Sequence, residues 1–392
     1  MKVLHLIDSG GLYGAEHMLL TLAQEQVKQG LKPTILSAGE PSETEKAIEI
    51  EARRIGLNVI VARMRPGLNV GEAKRILSWA RSEGFDLLHS HGYKFNILLG
   101  VLPKRLRGTM PLATTLHGYV NAYFGSRMSL YEILDRQILR RLDGIVVVNE
   151  RMRERLPKEV VRSSTCVHIP NGIASELPEV GVLPSDIRDF TQRHRIVFTA
   201  IGRLSQEKGL DQLIRVAAVR RNELESIGFV IIGEGPSRLS LEELTEQLGL
   251  KENFHFPGYL PNAGQLLPHF HALVMPSHTE GLPITILEAL RAGVPMIASA
   301  VGGIPAVLDH VPSASLIRPG NLHDLGRELV NMASRRPGAI DVETGKALFH
   351  QHYTSRIMAD RYCRLYDCML SSKKGKVRSA NEPVNSIQGR SE

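Results

Sequence analysis

The sequence predicts an α/β protein with two doubly wound domains, each built on a parallel sheet that helices cover on both faces. Short apolar runs rich in Val, Ile and Leu alternate with longer helix-like stretches, and the runs tend to end in Gly, Pro, Asn or Ser. Continuous apolar strands that alternate with helices are typical of parallel sheets buried on both faces. The runs form two sets, and 392 residues suffice for two cores of this kind.

The apolar runs are the predicted strands, and they divide into two domains. Those of the first domain, residues 1–173, begin at Val3, Thr34, Asn58, Asp86, Leu112, Gly144 and Cys166. Those of the second domain, residues 196–352, begin at Ile196, Phe229, Phe254, Ala272, Met296 and Ser315.

Three segments lie outside the two predicted domains. Residues 174–195 contain prolines and acids but no strand pattern, which predicts a linker and a hinge. Residues 353–370 place apolar side chains at helical spacing and therefore predict an amphipathic helix. Residues 371–392 are polar and include the run KKGKVR, so we expect a disordered tail.

The composition excludes several classes of protein. With 43% hydrophobic and 23% charged residues, the chain is not a disordered one. Three cysteines without CxxC spacing cannot form a disulfide scaffold, and they favour a reducing compartment. The apolar run near the N-terminus is too short for a signal peptide, and glycines and prolines interrupt the longest uncharged stretch. We therefore expect a cytoplasmic protein without a transmembrane segment.

The net charge of +7 is unevenly distributed. Residues 1–171 carry 24 basic and 17 acidic side chains, whereas residues 172–392 carry 24 of each. The first half therefore either faces an anionic partner, such as a membrane surface or a phosphorylated acceptor, or has an uneven solvated surface. Nucleic-acid binding is not expected, because the excess is diffuse and no recognition motif accompanies it.

The loops after the strands are the places to search for a ligand site, because open α/β sheets bind ligands at the carboxyl ends of their strands. After the first strand, Gly10, Gly11 and Gly14 permit close backbone approach, and the following helix offers unpaired N–H groups to an anion. The loop is neither a Walker motif nor a GxGxxG fingerprint. It predicts a phosphate-binding loop or simply a tight turn.

Two loops of the second domain have a composition that suits a nucleotide. Arg203 and Lys208 lie between Gly202 and Gly209, where both cations could clamp a diphosphate or form ordinary solvated charges. Gly233 opens a Gly-Glu-Gly-Pro turn that either borders a nucleotide base or reverses the chain.

The segment after the run at Ala272 is the richest in candidate residues. Glu280 falls in the loop, and Glu288 falls inside the helix for which Pro283 suits the first position. This separation suits two parts of one long ligand and does not suit a close acid/base pair. Leu282 and Ile284 offer backbone N–H groups at the helix terminus. The alternative is a capping acid followed by a surface acid.

Histidines end two strands of the first domain. His89 and His91 lie at one strand end and His117 at another, but no cysteine or carboxylate completes a metal-ligand set. We expect either a polar contact of His117 with substrate or a structural histidine. The chain has no Asp-x-Asp pair to hold a divalent metal on a diphosphate. Neither a metal nor another cofactor is expected.

Several motifs together resemble one family. The segments GRLSQEKG, GEGP, PSHTEGLPITILEAL and AGVPMIASAVGGIP, with IPNG in the first domain, resemble the GT4 retaining glycosyltransferases. The resemblance implies the GT-B architecture, in which two Rossmann-like domains face each other across a cleft and a C-terminal helix crosses back to the first domain. It also implies that the second domain binds a nucleotide-sugar donor and the first domain binds the acceptor.

The resemblance assigns roles to individual residues. Arg203 and Lys208 would neutralise the departing diphosphate in place of a metal, Glu280 would hold the donor sugar, and His117 would contact that sugar near the reacting centre. Glu288 would accept hydrogen bonds from the ribose. The implied donor-binding set comprises Gly10, Gly11, Gly202, Gly233, Gly281, Leu282, Ile284 and Glu288. One departure is Ala306, which stands where the family commonly has an acid.

The predicted reaction is metal-independent transfer, with retention, from a UDP- or GDP-sugar to a saccharide or lipid-linked saccharide in cell-surface polysaccharide or lipopolysaccharide synthesis. Aromatic and basic residues over 119–141, and the apolar run 95–102 followed by basic residues, suit an anionic bilayer at the inner face of the plasma membrane. Ordinary amphipathic helices explain them too. A nucleotide-sugar hydrolase or epimerase, or a non-catalytic sugar-nucleotide-binding partner, is the alternative function.

Overall fold

A computed structural model describes residues 1–8, 11–65, 67, 69–108, 110–117, 127–334 and 338–373. In these residues every predicted apolar run coincides with a strand, and the strands form two parallel sheets. The two-domain α/β prediction is therefore confirmed.

The first sheet has seven strands in the order β3-β2-β1-β4-β5-β6-β7. Its strands are β1 (Lys2–Asp8), β2 (Lys32–Gly39), β3 (Asn58–Arg63), β4 (Leu87–Ser90), β5 (Leu112–Leu116), β6 (Gly144–Val147) and β7 (Cys166–His168). Its helices are α1 (Gly14–Lys28), α2 (Ala47–Arg54), α3 (Val70–Ser82), α4 (Tyr93–Gly100), α5 (Lys104–Arg107), α6 (Arg127–Leu139) and α7 (Lys158–Val161).

The second sheet has six strands in the order β10-β9-β8-β11-β12-β13. Its strands are β8 (Ile196–Ile201), β9 (Ile227–Ile232), β10 (Phe254–Gly258), β11 (Ala272–Met275), β12 (Met296–Ser299) and β13 (Ala314–Ile317). The helices from the linker onward are α8 (Ser185–Arg193), α9 (Leu210–Val219), α10 (Arg221–Leu224), α11 (Arg238–Gln247), α12 (Ile284–Ala292), α13 (Ile304–Leu308), α14 (Leu322–Ser334), α15 (Ala339–His352) and α16 (Ser355–Lys373).

Each sheet has one point at which the strand order reverses. In the first sheet this point lies between β1 and β4, and in the second it lies between β8 and β11. Ligands of doubly wound folds bind outside the carboxyl ends of the strands at such points. The loops after these four strands are therefore the expected edges of the site.

The predicted linker contains a helix that the sequence analysis did not anticipate. Within residues 174–195, α8 buries Ile187 and Phe190 against a cluster that includes Val230 and Ile232 of the second sheet. Ile187 and Phe190 are three residues apart in an otherwise polar stretch, so they form one narrow apolar face. Such a face is a weak helical signal in a sequence, because the other residues of the helix are polar or charged.

The C-terminal helix crosses back to the first domain, as the resemblance implied. The side of α16 that carries Tyr362, Leu365 and Tyr366 is buried in one cluster with residues of β1 and β4. The crossing is fixed by two backbone hydrogen bonds, from Ile173 N to Tyr353 O at 3.1 Å and from Ser355 N to Ile173 O at 2.6 Å. The chain thus leaves and re-enters the first domain at adjacent points.

Among the described residues, no helix is long and apolar enough to cross a membrane.

Replacing Tyr366 by alanine tests how far α16 stabilises the first domain. Tyr366 is fully buried, so Tyr366→Ala is expected to lower the free energy of unfolding by about 3–5 kcal/mol. The single tryptophan, Trp79, is partly buried against the first-domain core, so its fluorescence during urea denaturation reports this domain. Arg364→Ala, on the exposed side of the same helix, is the control and should change stability by less than about 0.5 kcal/mol. Equal effects of the two variants would contradict the packing role.

Candidate active site

The loops at the carboxyl ends of the two sheets meet at Gly281. A Cβ on this residue would collide with the backbone carbonyl oxygen of His117, which directly follows β5 in the first domain. The carbonyl of Gly281 accepts hydrogen bonds from Gly303 N at 2.6 Å and from Asn149 Nδ2 at 3.3 Å. In the next residue, Leu282 O accepts a hydrogen bond from Asn171 Nδ2 at 2.7 Å. The loop at 280–282 is therefore seated directly on the first domain.

Lys208 and Glu280 come from different loops and form an ion pair. Lys208 Nζ lies 2.7 Å from Glu280 Oε1, and Ser277 Oγ donates a hydrogen bond to the same oxygen at 2.7 Å. The Glu280 side chain is 9% exposed and that of Lys208 is 25% exposed. The sequence analysis expected both residues at the site, but it did not anticipate that they contact each other.

Arg203 reaches the opposite domain through an aromatic side chain. Its guanidinium carbon lies 5.5 Å from the ring centroid of Tyr13, in the loop before α1. The carboxylate of Glu16 accepts a hydrogen bond from Tyr13 N at 3.0 Å and so holds this loop. Arg203 and Lys208 also line one recess, together with Gly202 and Ser277, between the ends of β8 and β11. The sequence analysis assigned no role to Tyr13. Its position beside the glycines of the first loop was the one feature that pointed to it.

The predicted glycines of the second domain allow close contact between backbones. Gly233 has φ 146°, and a Cβ there would collide with the carbonyl oxygen of Gly202. Gly202 N donates a hydrogen bond to Ile232 O at 3.0 Å. The backbones of the loops after β8 and β9 are thus in direct contact beside the recess.

Glu288 lies inside α12, away from the loop that holds Glu280. The helix begins at Ile284, with Pro283 as the residue that precedes its first turn. Burial raises the pKa of the Glu288 carboxyl, and the positive charge of Arg291 partly opposes this effect. A side chain at Gly264 would strike that carboxylate, so Gly264 keeps the space beside it open.

His117 belongs to a buried group of histidines. Its Nε2 lies 3.4 Å from Nδ1 of His91, and burial lowers its pKa to about 4. The group includes His5, which sequence reasoning missed, although β1 pairs with β4 so that His5 lies opposite His89. An ionisable residue in the middle of an apolar strand was the available signal.

Three of these histidines, His5, His89 and His91, place ring nitrogens within 4.8 Å of one another, as three metal ligands do. Both ring nitrogens of His89 are engaged, with Tyr366 Oη at 2.6 Å and Thr115 Oγ1 at 2.8 Å. The arrangement is therefore accounted for as a hydrogen-bonded cluster without invoking a metal.

Comparisons with known proteins agree with this architecture. The family model described as Glycosyltransferase Family 4 matches residues 13–177, and the one described as Glycosyl transferases group 1 matches residues 187–336. Between them the two models match most of the chain. The chain belongs to glycosyltransferase family 4.

Individual relatives are distant but extend over most of the chain. This glycosyltransferase is 27% identical over 353 residues to a 2-deoxystreptamine N-acetyl-D-glucosaminyltransferase of Streptomyces fradiae, covering 80% of this chain and 81% of that protein. It is 21% identical to the N-acetyl-alpha-D-glucosaminyl L-malate synthase of Bacillus anthracis, covering 95% of this chain and 97% of that protein. The structure of Anabaena HepE in complex with UDP-glucose superposes with a TM-score of 0.78 at 20% identity, covering 95% of this chain and all of that chain.

The first-domain side of the cleft carries charged and aromatic side chains. Asp8, at the end of β1, forms ion pairs with Lys94 at 2.7 Å and Lys46 at 3.3 Å. Tyr93 and Tyr131 stack with their ring centroids 5.9 Å apart, and both are partly exposed. The sequence analysis included Tyr131 in the aromatic and basic segment over 119–141, but it assigned no role to Asp8 or Lys46 and did not anticipate the pairing of the two rings.

Part of the sequence that was considered for membrane contact is internal. The apolar run 95–102 is a core segment, because Phe95, Leu98 and Leu99 are each at most 2% exposed. Arg107 is buried and paired with Asp143 at 3.3 Å. The apolar spacing therefore reflects packing of α4 and not an exposed face. The adjacent basic residues at 104 and 105 are exposed.

Some predicted residues lie outside the described part of the chain. These are Gly10, the aromatic segment over 118–126 and residues 374–392 of the predicted tail. Gly11 is described, and a Cβ there would strike the ring of Tyr13.

The buried histidines predict a loss of stability in mild acid. Burial lowers the pKa of His5 and His117 to about 4, and it also lowers that of His89 and His91 well below the ordinary value. Below the ordinary histidine pKa of about 6.5, the unfolded chain binds protons that the folded chain excludes. Stability is therefore expected to fall as the pH is lowered from about 6.5 to about 4, by up to about 1.4 kcal/mol per pH unit for each histidine.

Urea denaturation followed by Trp79 fluorescence at several pH values measures this dependence. His89→Gln should flatten the pH profile, because one buried imidazole is lost. His310→Gln is the control, since the His310 side chain is 92% exposed. A His89→Gln profile as steep as that of the unchanged protein would contradict the assignment.

Proposed function

We propose that this glycosyltransferase moves a sugar from a nucleotide-sugar donor on the second domain to a hydroxyl group of a saccharide or lipid-linked saccharide on the first domain. The observation that carries the proposal is the Lys208–Glu280 ion pair beside the recess that Arg203 lines, where the two sheets' carboxyl ends meet. The ion pair places Lys208, which can bind a diphosphate, beside Glu280, which can bind sugar hydroxyl groups. Transfer from a nucleotide sugar requires both functions at adjacent positions.

The donor would extend from the recess toward α12. Arg203 and Lys208 would hold the diphosphate and stabilise the negative charge that builds on it as the bond to the sugar breaks. Glu288 would accept hydrogen bonds from the ribose hydroxyl groups. These hydrogen bonds would replace the solvation that the carboxylate loses by burial, the effect that raises its pKa. The Anabaena neighbour bound to UDP-glucose supports a UDP-sugar as the first donor to test.

The donor sugar would lie between Glu280 and His117. The contact of Gly281 with the His117 carbonyl brings the two residues' segments together, so one pyranose can reach both. Reaction with retention and without a metal follows from the resemblance to the family, with two fixed cations supplying the positive charge.

The acceptor would bind beside Asp8. The partly exposed ring of Tyr93 or Tyr131 offers an apolar face for a sugar ring, and Asp8 can accept hydrogen bonds from hydroxyl groups. Two relatives carry names with small polar acceptors, deoxystreptamine and malate, so soluble acceptors belong in the same assay. We further propose that the exposed basic residues at 104 and 105 contact an anionic membrane. We also propose that the product belongs to cell-surface polysaccharide synthesis.

The test is release of nucleoside diphosphate from UDP-, GDP- and ADP-sugars in the presence of a chelator, with and without a membrane lipid extract or soluble saccharides. Release from one donor that rises with an acceptor is expected. Release that no acceptor increases would favour hydrolysis, and conversion of the sugar without release would favour an epimerase. Release only after addition of a divalent metal would contradict metal independence.

Removing either cation should slow this reaction. Arg203→Ala and Lys208→Ala are each expected to lower kcat by about 100-fold, because the charge on the leaving group loses a fixed partner. Lys251→Ala is the matched control, since Lys251 is an exposed cation of the same domain. A folded Lys208→Ala protein that turns over at the rate of the control would remove Lys208 from the site.

Glu288 should affect donor affinity more than turnover. Glu288→Gln is expected to weaken binding of the released nucleoside diphosphate by about tenfold or more, because hydrogen bonds to a charged acceptor are lost. Titration calorimetry measures this affinity. Glu243→Gln, at an exposed acid of α11, should leave it unchanged, and equal affinities of the two variants would refute the ribose role.

A further inference from the structure

A line of hydrogen bonds runs through the first-domain core from α1 to His117. Gln26 Oε1 lies 2.8 Å from His5 Nε2, and His5 Nδ1 lies 3.0 Å from His91 Nε2. His91 Nδ1 in turn lies 3.4 Å from His117 Nε2. Gln26, His5 and His91 are at most 5% exposed, so water does not substitute for these contacts.

The amide of Gln26 gives this line a direction. Its Nε2 faces Tyr366 Oη at 3.5 Å, which leaves its oxygen facing His5. An amide oxygen can only accept, so the proton of neutral His5 is on Nε2 and its Nδ1 is an acceptor. His91 must then donate from Nε2 to His5 and accept at Nδ1, and His117 must donate from Nε2 to His91.

The line contains no charged partner to disturb this order. In the described part of the chain, the side chains that hydrogen-bond to His5, His89 and His91 are uncharged: they are other histidines, Gln26, Thr115 and Tyr366. Burial lowers the pKa of each histidine well below neutral pH, so each ring carries a single proton there. With one proton per ring, reversing one hydrogen bond reverses all of them.

We propose that Gln26, His5 and His91 are positioning residues that hold His117 in one tautomer, with the proton on Nε2 and a free lone pair on Nδ1. Nδ1 of His117 makes no hydrogen bond to any residue that the structure describes, and it is the ring atom left to meet a ligand. It therefore accepts a hydrogen bond from a hydroxyl group of the bound sugar. This inference rests on the proposed function, because it takes the sugar beside His117 as given.

A second branch connects Gln26 to the C-terminal helix. Tyr366 Oη contacts both the Gln26 amide nitrogen and His89 Nδ1, and His89 Nε2 contacts Thr115 Oγ1. Thr115 Oγ1 lies 2.9 Å from Tyr362 Oη on the same helix, α16. If the amide turned over, Gln26 would donate to His5 and His117 would carry its proton on Nδ1. The orientation of the Gln26 amide between Tyr366 and His5 thus sets the hydrogen-bonding character of a residue in the cleft.

The tautomer is measured directly by nitrogen NMR of the full chain labelled with ¹⁵N-histidine, with the His117 signals assigned from the spectrum of His117→Gln. The expected result at neutral pH is a protonated Nε2 and an unprotonated Nδ1. Protonation at Nδ1, or a mixture of both forms, would overturn the proposal. The measurement uses the free protein, so it stands apart from the enzyme assay.

Gln26→Leu is the variant that removes the directing group, and Tyr366→Phe is the milder second variant that releases the amide. Both are expected to give a mixture of His117 tautomers. The value of kcat/KM for the donor identified in the release assay should fall in proportion to the lost Nε2-protonated fraction, about twofold for an equal mixture. Such proportionality is not expected of a purely structural role.

Gln29→Leu is the matched control. Gln29 follows Gln26 by three residues and also bonds to α16, through Asp360 at 2.7 Å, but it does not contact His5. Its variant should keep the single tautomer and the wild-type kcat/KM. An unchanged tautomer in folded Gln26→Leu and Tyr366→Phe would overturn the relay. If instead no nucleotide sugar reacts with the unchanged protein, the role toward the sugar is overturned together with the proposed function, whatever the tautomer.

Discussion

The backbone contact at Gly281 is the constraint on which the geometry of the cleft depends. This residue has no room for a side chain, because the carbonyl of His117 occupies that space, and its own carbonyl is held by Asn149 and Gly303. The position of Gly281 also fixes the residues on either side of it. Glu280 is placed to meet Lys208, and Leu282 is held through Asn171. A wider residue at 281 would separate the two sheets' edges and every pair of groups that spans them.

The fold was largely predictable because its signal is local. Each strand is a short apolar run that ends in a turn residue, and this pattern depends only on neighbours in the sequence. Helix α8 was missed because two apolar residues in nine make a weak pattern. For the run 95–102 both a membrane contact and an ordinary helix stayed open, because an apolar helix has the same sequence pattern in a core and on a membrane. The spacing of apolar residues shows that one face of a helix is apolar, but it does not show whether protein or membrane covers that face.

The candidate site was predictable only in its conspicuous members. Arg203, Lys208, Glu280 and Glu288 lie in the motifs on which the resemblance was based, so the sequence analysis selected all four. No role was predicted for His5, Tyr13, Asn149 or Asp8, since each matters through a partner from another part of the chain. Such pairings are set by strand order and by the seating of one domain on the other, which a reading of residues in sequence order does not supply.

The place of α16 has a consequence for how the protein is made. Tyr362, Leu365 and Tyr366 complete the core of the first domain, yet the ribosome synthesises them after the entire second domain. The first domain therefore cannot reach its final packing while it emerges from the ribosome. The polar groups in its interior around His5 and His89 lack their partners on α16 until that helix has been synthesised and released. Nascent chains of this protein would present an open apolar and histidine-lined face for most of translation, which is the kind of surface that chaperones retain.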